Sequence, residues 1–312
     1  MTLLRGILEQ MAGFRSLWGT LPAPSNAESG LVWIELKQRQ PLLDVCPDSS
    51  TPVHLSNGRR MCSTRNASSC LAYSFGSNGD FEFEEEVLRQ DPRCEIHTFD
   101  PTMEVGERRA AIQTSIKRAS ARLQASIRVH RGFGLAHFDG MGDIPHPRKE
   151  KATIFRMATL PTIMQELGHS HVHVLKIDTS GELEVLYALN ATGASLRSFD
   201  QVLMEIHLYH PTTFGERQRC CYDAEDVAVV LDIMRAHGFA VMSLEPPGYA
   251  RTFRPKTCCA EVAWIKLPDG VSAPALAPPF GSGRRRGAAT RASPKRGAAS
   301  SRALKVSAEG LT

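Results

Sequence analysis

Leu71-Ala72-Tyr73-Ser74-Phe75 is a short apolar run that breaks into Gly76-Ser77-Asn78-Gly79-Asp80 and then into a helical stretch reaching Arg89. Strand, tight turn and helix in that order are the start of a βαβ unit, and the turn is the informative part. Its residue types tolerate positive φ and let a ligand approach the backbone, and the helix that follows presents free N–H groups. A second strand, Glu95-Ile96-His97-Thr98-Phe99, ends at Asp100. That is about 20 residues beyond the loop, where nucleotide-binding folds place a carboxylate on ribose hydroxyls. The loop is not G-x-G-x-x-G. Asp80 stands where a pyrophosphate would meet the helix N-terminus, so a dinucleotide would meet a like charge. A cofactor with a ribose and an amino-acid end but no phosphate suits the loop better. The competing reading is a capped turn with no ligand.

Outward from this unit the chain keeps alternating. A long polar helix is expected over residues 104–124 and a strand over 126–130. Residues 131–158, rich in Gly, Pro and His, read as a long loop, a feature that in compact domains is usually functional or mobile. A short helix over 160–168 closes on a glycine. Then follow a strand (171–177), a helix (182–189), a strongly apolar strand (201–206) and an amphipathic helix (223–237) capped by Gly238. The last two strands (239–244 and 261–267) have no helix between them, which suits an antiparallel pair at one edge of a mixed sheet. The expected fold class is α/β: a Rossmann-like sheet, mostly parallel with its last strand antiparallel, and helices on both faces.

Composition bounds the rest. The 312 residues are 42% hydrophobic, enough for one sizeable core. From Val271 onward eight Lys/Arg face a single acid, Glu309, so this end carries +7 and the rest of the chain about −3. A slightly acidic body gives no electrostatic case for nucleic-acid binding by the folded part. Three segments are expected: residues 1–61, an N-terminal helix (Leu3, Leu4, Ile7, Leu8 and Met11 at helical spacing) and an irregular leader; 62–268, the folded domain; and 269–312, a disordered basic tail too poor in apolar residues to fold. No membrane span is expected, and no signal peptide in the sequence as it stands. Eight cysteines and two Asn-x-Ser/Thr sequons, at Asn66 and Asn190, leave the compartment open. Cys70 and Cys94 start the first two parallel strands. Neighbouring strands lie about 4.8 Å apart, so a disulfide between them is within reach, with two buried thiols as the alternative.

Tyr73 to Glu84, followed by His97-Thr98-Phe99-Asp100-Pro101, resembles the eukaryotic methyltransferase-like domain family related to the FkbM methyltransferases. Further blocks agree in order: Leu160 with Ile163-Met164 and Leu167-Gly168-His169, Val174-Leu175-Lys176-Ile177-Asp178, Glu205-Ile206-His207, and Cys259-Ala260-Glu261-Val262. The first block is long and specific, the others short, and together they cover about residues 62–267. The resemblance implies a seven-stranded methyltransferase sheet with S-adenosylmethionine as cofactor. Gly76, Ser77, Asn78 and Gly79 would wrap the methionine portion and Asp100 would hold the ribose. One block departs from the family pattern. After Lys176-Ile177-Asp178-Thr179, Ser180 stands where an acid is expected, and Leu183 replaces a second one. Glu182 and Glu184 could compensate, although they project from their helix in different directions.

Three residues stand out for catalysis. Asp178 ends one strand, and Glu205 and His207 end the next on a shared face, beyond the carboxyl ends of strands where open α/β sheets bind ligands. A histidine beside a carboxylate could deprotonate an acceptor hydroxyl. The competing reading is a polar cluster bracing two strand ends. No zinc motif is present, since the adjacent pairs Cys220-Cys221 and Cys258-Cys259 do not fit thiolate spacing, and His171 and His173 read as strand residues. Two functions lead: an S-adenosylmethionine-dependent methyltransferase, acting on oxygen of a small molecule or glycan rather than on nucleic acid, or a catalytically impaired cofactor-binding or interaction protein on the same fold. A third and weaker reading is a nucleic-acid-associated protein using the basic tail, a feature that is usually just a solvated end.

Overall fold

The run at Leu71 folds into an interior strand of a seven-stranded sheet. The computed structural model describes residues 29–55, 58–65, 67–104, 107–144, 153–179, 181–192, 196–207, 222, 224–247, 252 and 259–274. In chain order the elements are α1 (Ser29–Arg39), β1 (Val53–His54), β2 (Arg60–Met61), β3 (Leu71–Phe75), α2 (Glu82–Gln90), β4 (Glu95–Phe99), α3 (Glu107–Arg118), α4 (Ala121–Ser126) and β5 (Ile127–His130). They continue as β6 (Phe133–Leu135), β7 (Gly140–Ile144), β8 (Thr153–Ala158), α5 (Leu160–Leu167), β9 (Val172–Ile177), α6 (Glu182–Thr192), β10 (Phe199–His207), α7 (Ala224–Ala236), β11 (Phe239–Glu245) and β12 (Cys259–Lys266).

The large sheet runs β11, β12, β10, β9, β3, β4, β5. The neighbours from β10 to β5 pair in parallel, and β12 lies antiparallel to both β10 and β11. This is the Rossmann-like α/β arrangement expected above, with the last strand reversed. From β3 the chain first builds outward through β4 and β5, then returns to add β9 on the other side. The resulting switch point, between the carboxyl ends of β3 and β9, is where open sheets of this kind hold ligands.

Alternation along the strands sends side chains to two cores. Tyr73, Phe75, Leu175, Ile177, Val202 and Met204 pack on one face with residues of α1, α5, α6 and α7. Ala72, Ile96, Val174 and Leu203 pack on the other with Phe83, Val87 and Leu88 of α2 and Leu123 of α4. Trp33 and Leu36 of α1 are buried in the first core, so part of the stretch read as a leader contributes to packing. The helix expected near the N-terminus lies outside the described residues, as does the basic tail beyond residue 274.

Two expectations are corrected. Residues 131–158 are not one long loop. β6, β8 and β7 form a second, three-stranded sheet. Two of the glycines that read as loop signals sit where packing leaves no room: a Cβ on Gly142 would lie 2.7 Å from Met157, and one on Gly134 3.0 Å from Pro101. The helix expected over 104–124 is two helices. Ser120 breaks it, its Oγ accepting the Leu123 N–H and capping α4, while its own N–H and hydroxyl donate to Glu85. The bond between Cys70 and Cys94 is formed, with Cα atoms 4.3 Å apart. A second disulfide joins Cys46 to Cys62, and Cys259 is also disulfide-bonded.

Under β4 lies an aromatic and imidazole stack. His97 Nδ1 and His130 Nε2 share a proton at 2.9 Å, His169 meets His97 edge-on, and the Tyr73 hydroxyl bonds His169 Nδ1 at 2.6 Å. Burial, then the neighbouring His130 and His169, push the His97 imidazole down from 6.5 to about 4. Between those values the unfolded chain binds a proton that the folded chain refuses, so stability falls as pH drops through the window. Thermal melts from pH 7 to 4 are expected to show a smaller fall in His97→Phe, which keeps a ring in the stack, than in the wild type. Equal falls would show that the imidazole is not responsible.

Candidate functional site

The loop after β3 is pressed against the end of β9. The Gly76 N–H donates to the Phe99 carbonyl and the Asp178 N–H to the Phe75 carbonyl, each at 3.1 Å. Gly76 has φ +79°, and a Cβ there would lie 1.9 Å from the Asp178 carbonyl oxygen. Asn78 and Gly79 follow with φ +50° and +80°. Asp100 is 4% exposed. Its Oδ2 accepts the Asn78 N–H at 2.6 Å, and its Oδ1 accepts the N–H and hydroxyl of Thr102. The carboxylate therefore ties the loop to the end of β4, and Oδ2, which accepts one bond where Oδ1 accepts two, keeps lone-pair capacity for a further donor. Asp80 accepts the Glu82 N–H at 3.0 Å, at the entry to α2.

Next to the loop, at the carboxyl ends of β9 and β10, charged side chains gather on the α2 side of the sheet. Lys176, 5% exposed, reaches the Gly76 carbonyl at 3.3 Å and the Asp178 carboxylate at 3.2 Å, with its ammonium 5.9 Å above the Phe83 ring. Glu205 and Glu261 are register partners across β10 and β12, a like-charge placement that is unfavourable alone. Arg59, 1% exposed, pairs with Glu261, and its Nη2 lies 3.7 Å from Asp178 Oδ2. His207 Nδ1 donates to Glu182 Oε1 at 3.1 Å, the same oxygen accepts the His207 N–H at 2.8 Å, and His207 Nε2 lies 3.9 Å from Glu205.

These contacts set the protonation states. Burial opposes ionisation of Asp178, but Lys176 and Arg59 outweigh it and hold the carboxyl below its usual range. Burial, together with Asp178 and Glu261, pushes Glu205 up to about 8, and it is hydrogen-bonded to Asp178. At neutral pH Glu205 is thus the protonated partner, donating to the Asp178 carboxylate. Burial raises Glu261 to about 7 against the pull of Arg59. Burial also disfavours charge on His207, but the bond to Glu182 and the carboxylates of Glu182, Glu205 and Asp178 overcome it and raise the imidazole to about 9. His207 is a cation at neutral pH.

Sequence reasoning named Asp178, Glu205 and His207, and the fold brings all three together beside the loop of Gly76, Ser77, Asn78 and Gly79. It left Lys176 and Glu261 inside matching blocks with no role. It missed Arg59, which carries no motif and sits immediately before β2, close in sequence to the Cys46–Cys62 disulfide. The structure separates the two acids of α6: Glu182 is fully buried against His207, while Glu184 accepts the Tyr222 hydroxyl. Leu183 is a core residue, and Ser180 lies outside the described residues.

Three groups among the described residues cluster like metal ligands: Cys70, Asp91 and Cys94; Glu205, His207 and Cys259; and His171, His173 and Asp200. Each has donor atoms already committed. The cysteines are disulfide-bonded. His173 Nδ1 accepts the Leu71 N–H at 3.1 Å, which puts the proton of a neutral ring on Nε2.

A family profile described as a methyltransferase domain matches residues 45–266. Comparison with curated proteins finds no match. Solved structures with a similar course include a protein of the NADB-Rossmann superfamily from Streptococcus agalactiae, 9% identical, covering 65% of this chain and 64% of that one with a TM-score of 0.34. A precorrin-6y methyltransferase from Geobacter metallireducens is 8% identical, covering 76% and 87%, with a TM-score of 0.34. An O-methyltransferase family protein from Burkholderia thailandensis is 10% identical, covering 65% and 52%, with a TM-score of 0.34. The chain thus spans less than two thirds of the first and third of these.

The close approach at Gly76 gives a direct test. Gly76→Ala must push β3 and β9 apart and is expected to cost roughly 3 kcal/mol. Gly132→Ala, where a Cβ meets nothing within 4 Å, is expected to leave stability unchanged. Urea unfolding of both variants checks this, and an unchanged midpoint for Gly76→Ala would overturn the packing argument.

Proposed function

The chain belongs to the methyltransferase-domain family, and from that premise we propose that it transfers the methyl group of S-adenosylmethionine to an oxygen of a small-molecule or glycan acceptor. The observation that carries this reading is the pairing, at one switch point, of a glycine loop gripped by Asp100 with a proton-sharing carboxyl pair at the next strand ends. The donor set suits this cofactor. Asp80 and Asp100 at the loop disfavour a phosphate, while carboxylates favour hydroxyls and a cationic centre. Gly76, Ser77, Asn78 and Gly79 would hold the methionine portion and Asp100 the ribose. When bound, the cofactor supplies an electrophilic methyl group on a sulfonium.

The chain's own task is then alignment and removal of the acceptor's proton. The base role read for His207 from sequence passes to Glu205, because His207 already carries a proton held by Glu182. Glu205, once it has lost the proton it shares with Asp178, takes the acceptor's. His207 holds the acceptor as a cationic hydrogen-bond donor, and Lys176 and Arg59 keep Asp178 ionised throughout. An oxygen acceptor also accords with the kinship to FkbM-type enzymes that the motif blocks suggest, and the acidic body argues against a nucleic acid.

Calorimetric titration is expected to show S-adenosylmethionine binding, weakened by roughly 1.5–3 kcal/mol in Asp100→Ala as a charge-assisted bond is lost. Equal affinity in both proteins would leave Asp100 with a purely structural role.

For transfer, kcat/KM is expected to rise as Glu205 loses its proton near 8 and to fall as His207 loses its own near 9, giving a maximum between. Glu205→Gln should lose the rising limb along with most of the activity. A flat profile from pH 7 to 10 would refute these roles. Donor binding without transfer to any hydroxyl acceptor would favour the second reading, a cofactor-binding protein on the same fold.

A further inference from the structure

The disulfides and one surface asparagine point to the chain's history. Cys46–Cys62 and Cys70–Cys94 are formed and Cys259 is disulfide-bonded. A body of this size does not need such bonds to fold, so their presence speaks for an oxidising environment. Asn190-Ala191-Thr192 is an N-glycosylation sequon. It forms the last turn of α6, and all three residues are exposed.

The local geometry suits a glycan. Asn190 Oδ1 accepts from His237 Nε2 at 2.9 Å. That bond uses the amide oxygen and leaves Nδ2, the atom that would carry the sugar, without a role in it. The contact survives attachment, because a glycosylated amide keeps its carbonyl. Thr192 Oγ1 donates back to Ala188 and Leu189 carbonyls in the folded helix, so the hydroxyl that a transferase reads is accessible only before α6 closes.

Placement suits it too. α6 begins with Glu182 at the charged cluster and runs away from it. At a rise of 1.5 Å per residue, Asn190 lies about 12 Å further along the axis, toward the strand starts. Bulk there leaves the donor loop and the carboxyl ends of the strands open.

We propose that Asn190 is an N-glycan acceptor, modified on the nascent chain in an oxidising secretory compartment. The donor class is a lipid diphosphate-linked oligosaccharide. Asn190 Nδ2 attacks C1 of its first sugar, the N–C1 bond forms, the C1–O bond to the diphosphate breaks, and the amide gives up one proton as the lipid diphosphate leaves.

The test uses the full chain, led into the secretory pathway of cultured eukaryotic cells by a cleavable signal sequence. The second sequon is removed by Asn66→Gln, so that one glycan at most can be read. Peptide N-glycosidase is expected to shift the electrophoretic mobility of this protein by one step and to convert Asn190 to aspartate in the peptide mass spectrum. Asn190→Gln should remove the step. Thr192→Ala, which keeps Asn190 and its bond to His237, should remove it as well, separating loss of the acceptor from any misfolding. A secreted, disulfide-bonded protein with unmodified Asn190 would overturn the proposal, as would a step that persists in Thr192→Ala.

Discussion

The contact on which the site depends is the approach of the Gly76 backbone to the carbonyl of Asp178. At 1.9 Å from where a Cβ would stand, it admits no other residue and fixes how the loop leaves β3. It also joins the two halves of the site. Gly76 opens the loop that Asp100 grips, and Asp178 belongs to the charged cluster. Lys176, bonded to the Gly76 carbonyl and to the Asp178 carboxylate, spans the same junction. A displacement of β3 against β9 would therefore disturb loop geometry and charge placement together.

The charged cluster is a costly arrangement for folding alone. Buried carboxylates lose hydration, and opposed glutamates repel. Burial first, and then the neighbouring carboxylates, make Glu205 and Glu261 titrate high, while Lys176 and Arg59 hold Asp178 low. Buried groups with divergent protonation are characteristic of sites that move protons. The same environment makes His207 a poor base. Its closest neighbour is a buried carboxylate, and a histidine held as a cation serves better to orient and polarise.

The arm that carries Arg59 shows how distant sequence is recruited. β1 and β2 form only a two-residue ladder, too short to be stable by itself. The Cys46–Cys62 bond and the Gln201 side chain, which accepts the Cys62 N–H and donates to its carbonyl, fasten the arm to the sheet. Local composition around Arg59 gives no hint of this. The small sheet of β6, β7 and β8 makes a related point. Its Gly134 and Gly142 lie under side chains that leave no room for a Cβ, and a reader of the sequence sees only the glycines.

What the sequence by itself determined is what short-range physics controls. Alternation and apolar runs placed every strand of the large sheet. Glycine and asparagine at residues 76–79 marked the turn because few other residues adopt positive φ. Asp100, Asp178, Glu205 and His207 were legible because each ends a strand, and strand ends in an alternating α/β chain converge. The start of two neighbouring strands likewise made the Cys70–Cys94 bond readable. Only the tertiary structure decided which charges meet. Arg59 lies more than a hundred residues from Asp178 and two hundred from Glu261, and Glu182 rather than Glu184 faces His207 because packing sets the rotation of α6. Protonation follows from burial and from neighbours that the fold supplies, so the raised titration of Glu205 and the cationic state of His207 could be read only once the chain was folded.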